Sequence, residues 1–460
     1  MERNKEWDNL LQETNEFPVE LNKTIEKLNK RRMKRRIKSL SLTGLTTAAA
    51  FIFFVLLVNT NTVFANGIMN VPVLKDLAAF VTFDKSLNSA IENEYVQEMN
   101  LTATNGSTTL GLPYVIADEK NLVAFFQVPK DLIQNENDWI QLFSIEMKDL
   151  STGEKIEGYA DATQSVSKES LEQNNGLNYI HYKFAEGTLP KSVEITVKLE
   201  IGHVQSGVVN KDDFITTPTG EIQYGSSITN YEDLGTFTYS LTFDDFAKPK
   251  VYDINQEKIV NGQKLTIEKI TVLPTGTEVF ITFDKDNTAR INGLELETIN
   301  RNNEVLKSAG GISGFNDPDG YWTKIYIESN YFNNSKDETL LIKGIRLMNK
   351  DEEYITVNLD DKTFEPQIDG MKLTEVIKKD TNAYLTFETK AIDNFSVFYF
   401  EYKDSTGKIY QMNSEGGRNI NDILTTSIKV AYPDDRIIIL KRSMSPMIEL
   451  PTPIEIPLHQ

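Results

Sequence analysis

The chain has 460 residues, 40% of them hydrophobic and 25% charged, a length suited to about three domains and a composition that excludes both wholesale disorder and uniform apolarity. It has no cysteine, which removes disulfides, thiolate metal sites and cysteine nucleophiles. Its three histidines (His181, His203, His459) are scattered, and its net charge of −19 argues against general binding of nucleic acid.

Residues 1–38 run against that acidic average. They carry eleven Lys/Arg and seven Asp/Glu, a net of +4, which leaves −23 for the other 422 residues. Trp7, Leu10, Leu11 and Thr14 follow i, i+3, i+4, i+7 spacing and predict one helical face. Phe17-Pro18 interrupts, and Pro18 with Glu20 suits the first turn of a second helix bearing Leu21, Ile25 and Leu28. Fewer than ~40 residues seldom fold alone. The stripes therefore either dock onto a partner, with Trp7, Leu10, Leu11, Phe17, Leu21, Ile25 and Leu28 as the apolar face, or cover each other or touch lipid headgroups.

Next comes a dense basic cluster: Lys30, Arg31, Arg32, Lys34, Arg35, Arg36 and Lys38. Against it stands an uncharged run, Leu40 to Val58. Nineteen helical residues span roughly 28 Å, close to the ~30 Å hydrocarbon core. The expected reading is a single-pass helix over 39–59 in the lipid bilayer, with the basic cluster and N-terminus cytoplasmic and the C-terminus extracellular. A signal peptide cleaved after Ala65 competes with it, although the leader before the apolar run is unusually long. A buried core helix is the third reading; a basic cluster set directly against a fully uncharged run argues against it.

Residues 60–100 form a juxtamembrane linker in which Leu74, Leu77, Val81, Leu87, Ala90 and Ile91 keep a helical period. Beyond Leu101 the texture becomes short alternating runs between Gly, Asn, Asp and Pro. These runs repeat. Paired strands are predicted at 108–128, 265–283 and 371–389, second hairpins at 143–156, 292–306 and 397–410, and closing strands VEITVKL, TLLIKGIRL and RIIILKR. The expectation is a mainly β chain with three immunoglobulin-like sandwich modules outside the membrane, at 101–247, 248–360 and 361–460. One large divergent β domain is the alternative.

Motifs for chemistry are weak. Ser165-Val166-Ser167-Lys168 fits S-x-x-K, yet no S-D-N or K-T-G follows at suitable positions. Asp284-Lys285-Asp286-Asn287 opens like a calcium loop but places Ala289 and Gly293 where glycine and an acid are required. Asn316-Asp317-Pro318-Asp319-Gly320 reads as a turn. No catalytic residue, metal site or cofactor is expected.

The order of tail, apolar run, Ser86 to Gln97, and the Thr109–Val128 hairpin with Ala117-Asp118-Glu119 resembles the domain-of-unknown-function 4179 membrane proteins of Gram-positive bacteria. The later modules resemble the domain of unknown function 5643. That resemblance implies a negative effector of an extracytoplasmic-function sigma factor, in other words a membrane anti-sigma factor. The cysteine-free sequence departs from the zinc-type anti-sigma pattern. Expected partners are a cytoplasmic sigma factor, an extracellular ligand and a regulatory protease acting between the modules and the tail. The competing reading is a surface-anchored adhesion or wall-binding protein whose tail only sets topology.

Overall fold

The computed structural model describes Leu77, Phe80, Val81 and residues 84–458, apart from 164, 210–226, 301–302, 309–312, 318, 334–337, 391–396, 421 and 444. The predicted tail helices and membrane segment lie outside the described residues. Among the described residues no helix is long and apolar enough to cross a membrane.

The described chain is mainly β, as expected, and every ladder between its named strands is antiparallel. The linker contributes helix α1, Lys85–Glu92, and Leu77 and Phe80 ahead of it are helical too, as the period suggested. Extended backbone begins by Gln97, because the stretch after Asn93 lacks an apolar stripe and pairs instead with the following strand.

The first module contains β1 (Gln97–Asn105), β2 (Thr108–Ala117), β3 (Asn121–Gln127), β4 (Trp139–Asp149), β5 (Tyr159–Thr163), β6 (Ser165–Ser167), α2 (Lys168–Gln173), β7 (Leu177–Phe184), β8 (Ser192–Val209) and β9 (Ser227–Thr242). One sheet runs β1-β2-β3-β7-β5 and the other β6-β4-β8-β9. Alternation on both sheets sends Leu112, Phe126, Tyr182, Leu142, Val197 and Phe237 into one shared core.

The second module contains β10 (Lys250–Val260), β11 (Gln263–Leu273), β12 (Gly276–Phe283), β13 (Ala289–Asn300), β14 (Val305–Leu306), β15 (Gly314–Asn316), β16 (Trp322–Ile327) and β17 (Glu338–Asn349). The third is built from β18 (Tyr354–Asn358), β19 (Thr363–Glu365), β20 (Lys372–Lys379), β21 (Asn382–Lys390), β22 (Phe398–Asp404), β23 (Ile409–Gln411), β24 (Asn413–Ile420), β25 (Ile423–Ala431) and β26 (Ile437–Arg442). The last strand, β27 (Met447–Leu458), returns to the second module.

The predicted repeat corresponds to equivalent strands. The paired strands are β2-β3, β11-β12 and β20-β21, each joined across the same edge by β7, β16 or β25. The strands that open the second sheets (β4, β13, β22) pair with the closing strands β8, β17 and β26. In the first module β9 then pairs beside β8. The strand after β17, however, crosses to the third module: β18 pairs with β26 and places Ile355 and Val357 in that core. The vacated place beside β17 is filled by β27, whose Ile456 and Leu458 join the second core. The expected boundaries at 360 and 460 are therefore corrected, since the two modules exchange strands. β27 is an edge strand, which tolerates Pro451, Pro453 and Pro457 where a central strand would not.

Candidate functional site

The first two modules meet around α1. Asp84 caps the helix, accepting hydrogen bonds from the backbone N–H groups of Ser86 (2.9 Å) and Leu87 (3.1 Å). Its apolar face, Leu87, Ala90 and Ile91, lies on the outer surface of the first sheet against Tyr114, Ile116, Val123 and Phe125. That explains why β2 and β3 are apolar on both faces. Phe332 of the second module packs against the same cluster, 5.8 Å from the Tyr95 ring.

Polar contacts then tie the helix to the second module. The Lys85 N–H donates to Glu328 (3.1 Å), and its ammonium donates to the Val305 carbonyl (2.7 Å). The Ser329 N–H donates to Ser86 Oγ (2.7 Å), while the Ser329 hydroxyl donates to the Leu273 carbonyl. Glu328 accepts a further bond from the Lys307 N–H, so one carboxylate ties α1 to the loop after β14.

At the heart of the seam the turns of two equivalent hairpins meet. Asp118, in the β2-β3 turn, is fully buried. Within its own turn it accepts from the N–H groups of Lys120 and Asn121 and from the Asn121 amide. From the β11-β12 turn it accepts the Thr275 N–H (3.1 Å) and hydroxyl (2.6 Å). Burial pushes the Asp118 carboxyl above the usual carboxylate range, while these donors pull the other way. Asp84 is raised likewise, by burial first and by Glu328 in addition, against its capping bonds.

A buried cation completes the arrangement. Lys183, on β7, lies 4.6 Å from the centroid of the Tyr326 ring, and the Tyr326 hydroxyl donates to buried Glu278 (3.0 Å). Burial lowers the Lys183 ammonium to about 8, against the pull of Asp84 and Asp118. Neighbouring His181 reaches solvent in part, but its Nε2 is buried without a partner, and burial and the Lys183 charge keep the ring neutral. The segment between the modules is fixed as well: the Ala247 N–H donates to the Tyr95 hydroxyl, which donates to the Ala117 carbonyl, and Tyr331 donates to the Lys248 carbonyl. Such paired, buried charges hold two bodies in register at a cost if either partner is lost.

Every partner-binding residue expected from the sequence (Trp7, Leu10, Leu11, Phe17, Leu21, Ile25, Leu28) lies outside the described residues, as do Lys30, Arg31, Arg32, Lys34, Arg35, Arg36 and Lys38. Of the motifs weighed for chemistry, Ser167 caps α2, accepting from the Ser170 N–H, and Asp284 accepts from the Asp286 N–H in a turn. The short helix that Ser167 caps carries a single buried apolar residue, Leu171, too little for a periodic signal. Sequence reasoning did not single out Thr275, Lys183 or Glu328. The helical period marks Leu87, Ala90 and Ile91 of the seam, while Asp118 enters only through the Ala117-Asp118-Glu119 stretch that carries the family resemblance.

Residues 35–130 match the domain of unknown function DUF4179, and residues 249–368 match the family of unknown function DUF5643. The first match begins at Arg35, beyond Trp7 to Leu28, and ends with the β2-β3 hairpin and the turn after it. No curated protein matches the chain. Among solved structures, a conserved domain protein from Bacillus anthracis is similar over 59% of this chain and 85% of its own, at 14% identity and a TM-score of 0.36. A cycloalternan-forming enzyme from Listeria monocytogenes is similar at 9% identity and a TM-score of 0.10, over 71% of this chain and 29% of its own. Likenesses this weak fix neither fold nor activity. The two family matches stand on either side of the seam: the DUF4179 domain, residues 35–130, contains α1 and the Asp118 turn, and the DUF5643 region, residues 249–368, contains the Thr275 turn.

Proposed function

We propose that the chain is a single-pass membrane anti-sigma factor. Its tail, residues 1–38, would hold an extracytoplasmic-function sigma factor through Trp7, Leu10, Leu11, Phe17, Leu21, Ile25 and Leu28. The apolar run would anchor it in the bilayer, and three immunoglobulin-like modules outside would sense a surface condition. The DUF4179 match is compatible with this role. The observation that carries it is α1: the segment just beyond the apolar run is clamped between two β modules by Ser86, Lys85 and the Leu87–Ile91 face. A ligand or force that parts those modules would free the chain next to the membrane, where a protease could then act.

Co-purification of the full chain with its sigma factor tests the docking face. Leu21→Asp with Ile25→Asp should abolish capture, and unchanged capture would place the face elsewhere. If deleting residues 2–28 changes no sigma-dependent transcript, the surface-adhesion reading replaces this one.

A further inference from the structure

The three sandwiches amount to two bodies. The chain leaves the second module after Asn349, builds the third from β18 to β26, and returns as β27 to the sheet it left. The two crossings lie side by side. The Arg442 N–H donates to the Glu353 carbonyl (2.9 Å), Arg346 donates to the Ser445 carbonyl (2.9 Å), and Glu353 pairs with Arg290 (3.3 Å) and Lys441 (3.4 Å). Each crossing is short, residues 350–353 and 443–446, and reaches ~14 Å at most. The second and third modules are thus tethered twice, and drawing them further apart requires β18 or β27 to leave its sheet.

The first junction differs in kind. No sheet is shared between the first and second modules among the described residues, and one segment without regular structure, 243–249, joins them. The contacts across it involve side chains: Lys85 and Ser86 with Glu328 and Ser329, Asp118 with Thr275, Lys183 with Tyr326, and Lys324 with the Ala185 carbonyl. Helix α1 belongs to the first body. Leu77, Val81, Leu87 and Ile91 are buried against its sheet, and only residues 93–96 separate the helix from β1. Ser86, Asp118, Lys183, Thr275, Glu328 and Ser329 are all buried, so a ligand cannot reach them while the seam is closed. The cavity beside the connecting segment, lined by Tyr95, Gln97 and Phe246, holds about 140 Å³, below the ~300 Å³ of ligand pockets.

We infer that the seam is a tension-operated joint: a pull between the segment entering α1 and the third module parts the second module from α1 and the first module, with all three sandwiches still folded. The inference rests on the membrane-anchored reading for the source of the pull, whereas what opens follows from topology. Any pull that enters beyond Lys250 crosses this seam. A few hydrogen bonds, lost within about 1 Å of separation, oppose it, while unfolding a sandwich requires whole ladders to part. Buried charge makes the joint two-state. Once water enters, Asp118, Lys183 and Glu328 are hydrated, and closing again must strip that water away. The seven residues 243–249 then limit the gap to ~24 Å. Parted from the second module, α1 keeps its apolar face covered and exposes Ser86, turning a pull into a change beside the membrane.

Because the chain lacks cysteine, paired thiols can be introduced for optical tweezers on the full-length chain in detergent micelles. Handles on Glu92→Cys and Lys379→Cys, both exposed positions, pull across the seam. The expected record is a short reversible hop at lower force than the long steps that release a sandwich. Thr275→Val with Glu328→Ala should raise the opening rate at fixed force roughly tenfold and leave the long steps unchanged. Handles on Glu92→Cys with Lys130→Cys, or on Asp253→Cys with Lys379→Cys, do not cross the seam and should give no hop. A first step that releases a sandwich overturns the inference. So does a hop shown equally by the two control pairs, or one indifferent to the double substitution. No sigma factor is present in this measurement, so its failure and a failure of sigma capture are separate results.

Discussion

The hydroxyl of Thr275 donates a 2.6 Å hydrogen bond to the carboxylate of Asp118, joining turns that lie 157 residues apart in sequence. Neither turn needs the other to form, since each hairpin closes on its own ladder. The bond therefore contributes to docking. A buried bond to a charged group contributes about 1.5–3 kcal/mol. Thr275→Val keeps the volume and the N–H donor but loses the hydroxyl. It should split the coupled unfolding of the first two modules, seen in calorimetry as a first-module transition displaced from the second. A single unbroken transition would show that the seam does not depend on this pair.

Lys183 provides a titration test. Burial depresses its ammonium to about 8 from an ordinary value of 10.5. Between those values the unfolded chain holds the proton and the folded one does not, so the Lys183 contribution to stability rises with pH across that window. Urea midpoints of Lys183→Met, compared with the unchanged chain at pH 7 and pH 10, should differ most in favour of the variant at pH 7. Parallel pH profiles would contradict this.

His203 titrates the opposite way. Its Nδ1 lies 2.9 Å from Asp138 and its Nε2 3.1 Å from Glu232, and these carboxylates raise its value, Asp138 most. The stabilisation is complete below the unfolded value of 6.5 and is lost as pH rises through the folded one. Because the ring is part-exposed, solvent screens the effect. Amide exchange in the Ile201–His203 segment of β8 should quicken as pH rises above 6.5 beyond its intrinsic rise, and Asp138→Asn should remove most of that excess.

Deleting residues 447–458 should damage the second module first. β17 would lose its outer ladder, leaving Leu340 and Ile342 without Ile456 beside them. Amides of β17 are expected to lose protection while those of β21 and β25 keep it. Loss confined to the third module would contradict the observed pairing.

Much of the architecture was legible because it is local. Asp149 with Gly153 and Asp404 with Gly407 announce their turns, and those turns close by bonds from each glycine N–H to the aspartate carbonyl. Alternation in Val193–Leu199 marks a strand with one buried face. The seam is different in kind: nothing near Asp118 shows that its partner is Thr275, because the pairing depends on how two folded bodies meet. The same holds for β27, whose three prolines look unlike a strand and whose partner lies about a hundred residues earlier. Asn292 looks like an ordinary strand residue until the register shows that it has no opposite number.

The exchange of β18 and β27 also sets an order in time. A chain made from its N-terminus has every strand of the first module once Thr242 has emerged. The third module has all of its strands by Arg442, while the second still waits for Leu458. The middle body is thus the last to close, and its open β17 edge stays sticky throughout synthesis. Any truncation near the C-terminus would be felt in the middle of the chain, at the module that clasps α1.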